Sequence, residues 1–266
     1  MSVRINTNIE ALNAQRNIGV TANAFAKSVE KLSSGLRINR ASDDAAGLVI
    51  SEKLRSQVNG LNQAVRNAQD GISMVQTAEG ALNEVHSILQ RIRELAVQYE
   101  NGTNDADSKA AITSEVTELK SAITEIGTNT KFNGVALLGA DATVSFQTGA
   151  DDSQQTSVNF GMSAVTTAVT AIVPTSATFI GLVDTAIAAV STVRGGLGAS
   201  QNHLEHTVAN LGVAAENMTA SESRIRDLDV ASEMVSFTKT QILQQAGTAI
   251  LAQANSAPQN ILTLLR

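Results

Sequence analysis

Apolar residues recur along this chain at alternating steps of three and four over a long central stretch. From Leu54 the pattern runs through Val58, Leu61, Val65, Ala68, Ile72 and Val75. It takes one further step of three to Ala78, then continues through Leu82, Val85, Leu89, Ile92, Ala96 and Tyr99. Such alternation keeps one face of an α-helix apolar, as in a coiled-coil seam, and the doubled step of three predicts a local overwinding. At 1.5 Å per residue the helix is on the order of 70 Å long, and a stripe of that length needs a partner. A second stripe supplies one. Val183, Ile187, Val190, Leu197, Leu204, Val208, Leu211, Ala215 and Met218 share one register, interrupted by Arg194 and Gln201. Ile112, Val116, Leu119, Ile123 and Ile126 add a third, also at helical spacing.

Between the second and third stripes the period changes to two. Residues 143–148 and 156–160 alternate polar and apolar side chains around a turn-rich link at 149–155, which predicts a β-hairpin. Phe132-Asn133-Gly134 marks another turn. Residues 161–180, rich in threonine, alanine and valine and broken by Pro174, give no clear element. Weaker stripes occupy both ends: Ile5, Ile9 and Leu12, resumed by Phe25, Val29, Leu32 and Leu36, and then Leu228, Ala231, Val235, Ile242, Ala246, Ala249 and Ile250. Isolated helices of this quality are marginal in water, so both ends are expected to be largely unfolded alone and to fold by pairing. Charge agrees, since the first 40 residues carry six basic side chains against two acidic, and the last 40 carry three acidic against two basic. The polar segment 32–44 reads as a linker, with Ser42 or Asp43 capping the long helix.

Composition narrows the fold class. Aromatics make up 3% of the 266 residues, with no tryptophan, and a thick core normally draws on such large side chains. A core of small aliphatics suits close helix–helix seams. The expectation is a mainly α protein, an elongated antiparallel helical bundle or coiled coil formed by the N- and C-terminal halves, with one small β-hairpin region. A net charge of −6 excludes a general nucleic-acid binder, and the absence of cysteine excludes disulfides, thiolate catalysis and cysteine-based zinc sites. No apolar signal core follows Arg4, and no uninterrupted apolar run reaches the roughly 18 residues of a membrane span. Membrane insertion is therefore not expected, and any export would use no cleaved signal peptide.

The residues that carry a family signature lie at both ends. Arg4-Ile-Asn-Thr-Asn8, Leu32-Ser-Ser-Gly-Leu-Arg-Ile-Asn-Arg-Ala-Ser-Asp-Asp-Ala-Ala-Gly-Leu48 and Leu89-Gln-Arg-Ile-Arg-Glu-Leu-Ala-Val-Gln98 resemble the N-terminal region of bacterial flagellins. Leu197-Gly-Ala-Ser-Gln-Asn202, Glu222-Ser-Arg-Ile-Arg-Asp-Leu-Asp229, Ile242-Leu-Gln-Gln-Ala246 and Leu251-Ala-Gln-Ala-Asn255 resemble the matching C-terminal region. The resemblance covers roughly residues 1–140 and 190–266; His203 departs from it, standing where the family commonly has arginine. It implies an extracellular, self-polymerising structural subunit of the flagellar filament, with no enzymatic activity and no cofactor. Residues 1–44 and 223–266 would be the two parts of an inner filament-core domain. Residues 45–222 would form an outer shell lacking the large insertions of longer members. The alternative within the family is the hook–filament junction protein, against which Arg226-Asp-Leu-Asp229 and Leu251-Ala-Gln-Ala-Asn255 weigh. Implied partners are further copies of the chain, a flagellar export chaperone and secretion apparatus, hook-associated and cap proteins, and host innate receptors.

The same resemblance suggests site residues. Gln90, Arg91, Leu95 and Glu115 match positions where flagellins are read by a Toll-like receptor, and Arg91 and Leu95 are i,i+4 neighbours on one helix. Ile5, Ile9 and Leu12, with Leu262, Leu264 and Leu265, would line the filament core, the C-terminal leucines also matching the end that cytosolic innate sensors recognise. Ile242, Leu243, Ile250 and Leu251 would be held by the export chaperone. Ser163, Thr166, Thr170 and Thr175 are candidate O-glycosylation positions, an expectation that an intact mass equal to the sequence mass would end. His203-Leu-Glu-His206 lacks the longer His-Glu-x-x-His spacing of zinc hydrolases and reads as surface histidines. Arg194-Gly-Gly-Leu-Gly198 lacks the lysine and preceding strand of a phosphate loop, and reads as a loosened helix or a close contact. Asp43-Asp44 and Asp151-Asp152 read as a cap and a turn.

Overall fold

A computed structural model describes residues 7–138, 143–174, 176 and 178–264, with side chains to residue 256. The described chain is mainly helical: α1 (Ile9–Ser34), α2 (Ala45–Tyr99), α3 (Ala106–Asn129), α4 (Met162–Ala171), α5 (Phe179–Arg226) and α6 (Val230–Leu264). Two antiparallel pairs of strands interrupt it, β1 (Lys131–Phe132) with β2 (Val135–Ala136) and β3 (Thr143–Gln147) with β4 (Gln155–Asn159). The chain divides into two compact units, residues 1–56 with 217–266, and residues 57–216.

In the terminal unit, α1 and α6 pair antiparallel. Asn8 donates from its side chain to the Ala254 carbonyl at 2.6 Å, Phe25 stacks on Phe237 with ring centroids 5.0 Å apart, and Lys31 lies 4.0 Å from Glu233. The covered residues recur at steps of three and four on both helices: Ala11, Ala14, Ile18, Thr21, Phe25, Ser28 and Leu32 against Glu233, Phe237, Thr240, Gln244, Gly247, Leu251 and Ala254. Gly247 lets the helices close, for a β-carbon there would sit 2.8 Å from Ile18 Cγ1. Asn8 caps α1 by accepting from the Ala11 N–H at 3.1 Å, and Gly35 ends it in the left-handed conformation. The chain then pairs with the α5–α6 junction, where the Arg37 N–H donates to the Arg226 carbonyl and the Leu228 N–H to the Gly35 carbonyl. Arg37 adds a guanidinium bond of 2.6 Å to the Ile225 carbonyl, and Arg55 reaches Glu222 at 2.7 Å.

The cap of α2 is neither Ser42 nor Asp43. Asp44 accepts from the Gly47 N–H at 2.9 Å, whereas Asp43 accepts from the Arg40 N–H, a bond that holds its carboxyl below the usual aspartate pKa. The reason is spacing: the cap residue immediately precedes the first helical residue, and here the helix begins at Ala45, one residue too late for Asp43 and two too late for Ser42.

In the other unit, α2 and α5 lie antiparallel, with Tyr99 edge-on to Phe179 at 6.0 Å, Arg93 bonded to Asp184 at 2.6 Å and Arg194 3.5 Å from Glu79. Leu82, Val85, Leu89 and Ile92 of α2, Ile112, Val116 and Ile123 of α3, and Val183, Val190, Leu197 and Leu204 of α5 share one core. By length and composition α5 could cross a membrane, with a mean hydropathy of 1.3 over its most apolar window; its aliphatic residues instead fill this core. It runs unbroken through Gly195, Gly196 and Gly198, and the space beside each is open, so the chain makes neither the loosened turn nor the close contact expected there.

Asn133 and Gly134 both have positive φ, 47° and 83°, the geometry of a tight hairpin turn between β1 and β2. Strand β3 crosses α2 at Gly71, whose missing side chain leaves room for Phe146, and Asn67 holds the Gln147 carbonyl at 3.0 Å. The segment without a clear element contains α4, whose Met162, Val165 and Val169 are buried beside Ile123, Gly127 and Leu138. Lys120 of α3 donates to the Ile172 carbonyl at 2.6 Å and to the Thr170 carbonyl at 3.4 Å, capping the end of α4. Burial there pulls the Lys120 pKa down.

Asp105 caps α3 through the Ser108 side chain and backbone, bonds that hold its pKa below the usual aspartate value. A depressed folded pKa means stability that is present above the unfolded value and lost as pH falls through the folded one. Asp105→Ala is therefore expected to weaken amide protection in the first turn of α3 at neutral pH. Hydrogen exchange should show the difference from the parent chain vanishing once acid protonates the parent carboxyl.

Candidate functional site

Each terminal helix turns some large aliphatic side chains outward, away from the seam it shares with the other. At 3.6 residues per turn, Val235, Ile242, Ala246 and Ala249 fall on the side of α6 opposite Phe237, Thr240, Gln244 and Gly247. Val235 is 69% exposed, Ile242 64% and Ile250 60%, while the covered seam contains threonine, glutamine and glycine. On α1, Ile9, Leu12 and Val20 likewise lie opposite Ile18 and Phe25, all three exposed. Leu243 is exposed and Leu251 half-covered within the α1–α6 seam. The seam also holds Ile18, Phe25, Leu32, Phe237 and Leu251, so large apolar side chains lie on both faces of the pair, where the interior would normally claim them. Contiguous apolar surface of this kind marks a site of association. Sequence periodicity found Ile9, Leu12, Val235, Ile242 and Ile250, but it joined Phe25 and Leu32 to the stripe of Ile9 and Leu12, whereas the structure puts those two in the seam among Thr21, Ser28, Thr240 and Gln244.

Ile5 and Leu265 lie outside the described residues. Leu262 and Leu264 fall in α6 with only their backbone described.

On α2, Gln90 is exposed and bonded to His86 at 3.0 Å. Arg91 donates to Glu115 of α3 at 2.9 Å and to Glu94 at 3.1 Å, and these bonds, that to Glu115 foremost, raise its pKa. Leu95 is only 2% exposed and belongs to the core. The polar-plus-apolar anchor expected of Arg91 and Leu95 is therefore not presented; the exposed group is Gln90, Arg91 and Glu115, without the leucine. The cause is the number of neighbours. Where α3 and α5 both pack on α2, its buried face widens beyond the seam positions and takes in Leu95 beside Ile92 and Ala96.

Ser163, Thr166 and Thr170 are exposed on α4, and Thr166 and Thr170 bond back to the carbonyls of Met162 and Thr166. Thr175 lies outside the described residues. His203 and His206 are exposed on α5 and line one groove with Thr148 and Gln154. Among the described residues no cluster of three or more His, Cys, Asp or Glu is placed to hold a metal ion.

Comparison with known proteins places these features. Residues 5–143 match the model described as the bacterial flagellin N-terminal helical region, and residues 180–265 the model of the bacterial flagellin C-terminal helical region. The chain is 53% identical to a flagellin of Halalkalibacterium halodurans, over 98% of this chain and 99% of that one. It is 47% identical to a flagellin of Bacillus subtilis, over 99% of this chain and 100% of the other. Flagellin FlaB2 of Treponema pallidum is also 47% identical, over 98% and 99% of the two chains.

Proposed function

The chain belongs to the bacterial flagellin family and is a subunit of the extracellular flagellar filament, and from that premise we propose that α1 and α6 carry the polymer contacts through the stripes they turn away from each other. The observation behind this reading is that α6 leaves Val235, Ile242 and Ile250 uncovered outside while Phe237, Thr240, Gln244, Gly247 and Leu251 form the seam with α1. A pair of helices that leaves such a stripe uncovered gains further burial on assembly, at roughly 25 cal/mol per Å² of apolar surface. By the family resemblance, Ile5, Ile9 and Leu12 with Leu262, Leu264 and Leu265 would line the filament core. The role is structural rather than catalytic.

Before assembly the same surface needs cover, and Ile242, Leu243, Ile250 and Leu251 are the segment an export chaperone would hold on the way to the secretion apparatus. Hook-associated and cap proteins would meet the stripe at the two filament ends. The exposed polar group of Gln90, Arg91 and Glu115 is the part of the outer unit that a host innate receptor would read.

Seeded polymerisation followed by electron microscopy tests the central reading. The full chain is expected to give long filaments, and a chain ending at residue 226 none. Filaments from the shortened chain would refute it, and equal chaperone binding by both chains would refute the chaperone assignment.

A further inference from the structure

Methionine is the side chain of this protein most open to oxidation, because the sequence holds no cysteine and no tryptophan to intercept an oxidant. The methionines differ sharply in access. Met74 and Met162 are buried in the core of the larger unit, and Met218 is half-buried on α5. Met234 is 45% exposed on α6, one residue before Val235 at the edge of the outward stripe. It stands between two contacts that fix the α1–α6 pair, Lys31 with Glu233 and Phe25 with Phe237. Its thioether thus projects from a well-anchored stretch of helix into the surface assigned above to polymer contacts.

We propose that Met234 is an oxidation site through which peroxide-class oxidants withdraw the unassembled subunit from polymerisation. The inference rests on the reading of the outward α6 face as an assembly surface. In the reaction a sulfur lone pair attacks one peroxide oxygen and the O–O bond breaks. The sulfur keeps that oxygen as a sulfoxide, and the second oxygen leaves as water after taking up the protons. Sulfur is oxidised by two electrons and hydrogen peroxide is reduced by two. The product replaces a flexible apolar group with a strongly dipolar acceptor. Burying such an acceptor without a donor opposes assembly, and the effect recurs at every subunit added. In a grown filament the contact itself shields the sulfur, so the site is open only before assembly.

The test uses the full chain, with hydrogen peroxide as oxidant and catalase as quench. Peptide mass mapping should show one added oxygen appearing on the Met234 peptide before the Met74 and Met162 peptides. The critical concentration for seeded growth should rise ~10-fold or more, and methionine sulfoxide reductase should restore it. Met234→Leu, close in volume and not oxidisable, should show the same critical concentration after peroxide treatment as it shows before it. Unchanged growth of a chain carrying the sulfoxide at Met234 would overturn the proposal, as would equal loss of growth by the peroxide-treated Met234→Leu chain. Failure of the untreated chain to grow at all would instead remove the assembly reading beneath it.

Discussion

Replacing Ile242 and Ile250 together by aspartate is expected to abolish filament growth while leaving the folded subunit intact. Both side chains are more than half exposed in the single chain, so the substitutions empty no cavity and bury no charge within it. On assembly each isoleucine would contribute about 1.5–3 kcal/mol by burial, and a carboxylate in its place would add a desolvation penalty. Loss of ~4 kcal/mol or more per subunit corresponds to a critical concentration raised by about a thousandfold, beyond any practical monomer concentration. The α1–α6 seam through Phe237, Gly247 and Leu251 runs opposite Ile242, and Ile250 stands uncovered at its flank, so helical circular dichroism and thermal melting should match the parent. Sedimentation of seeded reactions gives the decisive reading. Pelletable filaments at the parent's critical concentration would show that the outward stripe is not the polymer contact.

The contrast between the two α6 stripes also shows where the sequence is legible and where it is not. A period of 3.5 reports that a helix has an apolar face, and the long helices α2 and α5 were readable for that reason, with Leu82, Val85, Leu89 and Ile92 facing Val183, Val190 and Leu197 as their spacing requires. The same period says nothing about which molecule covers the face. At the ends of the chain the apolar stripe points away from the partner helix of the same chain. The seam mixes Ile18, Phe25, Leu32, Phe237 and Leu251 with Thr21, Ser28, Thr240 and Gln244, so its hydrophobic signal is broken. The hairpin β3–β4 was legible from its alternation and turn residues, within one residue at each strand. Helix α4 was not, although Met162, Val165, Val169 and Ile172 keep steps of three and four. Its first residue follows Gly161 with no side-chain cap, and the cation at its end comes from Lys120, some fifty positions earlier. Start and stop signals supplied by another element leave no local trace.

The outer unit yields a second large expected effect, and it separates a packing residue from a contact residue. Leu95→Ala removes a side chain that is 2% exposed among Ile92, Ala96 and the facing core, so unfolding stability should fall by about 2–5 kcal/mol. Arg91→Ala deletes an exposed guanidinium and its bonds to Glu115 and Glu94, so chemical denaturation should leave its midpoint essentially unmoved. Receptor binding should respond in a different order. If the exposed group of Gln90, Arg91 and Glu115 is what an innate receptor reads, Arg91→Ala loses affinity in a fully folded protein. Leu95→Ala then loses it only in proportion to the unfolded fraction, and recovers it at temperatures or osmolyte concentrations where the variant is folded. Affinity that stays low for folded Leu95→Ala while Arg91→Ala binds normally would place the leucine in the contact, and would require the receptor to draw it out of the core.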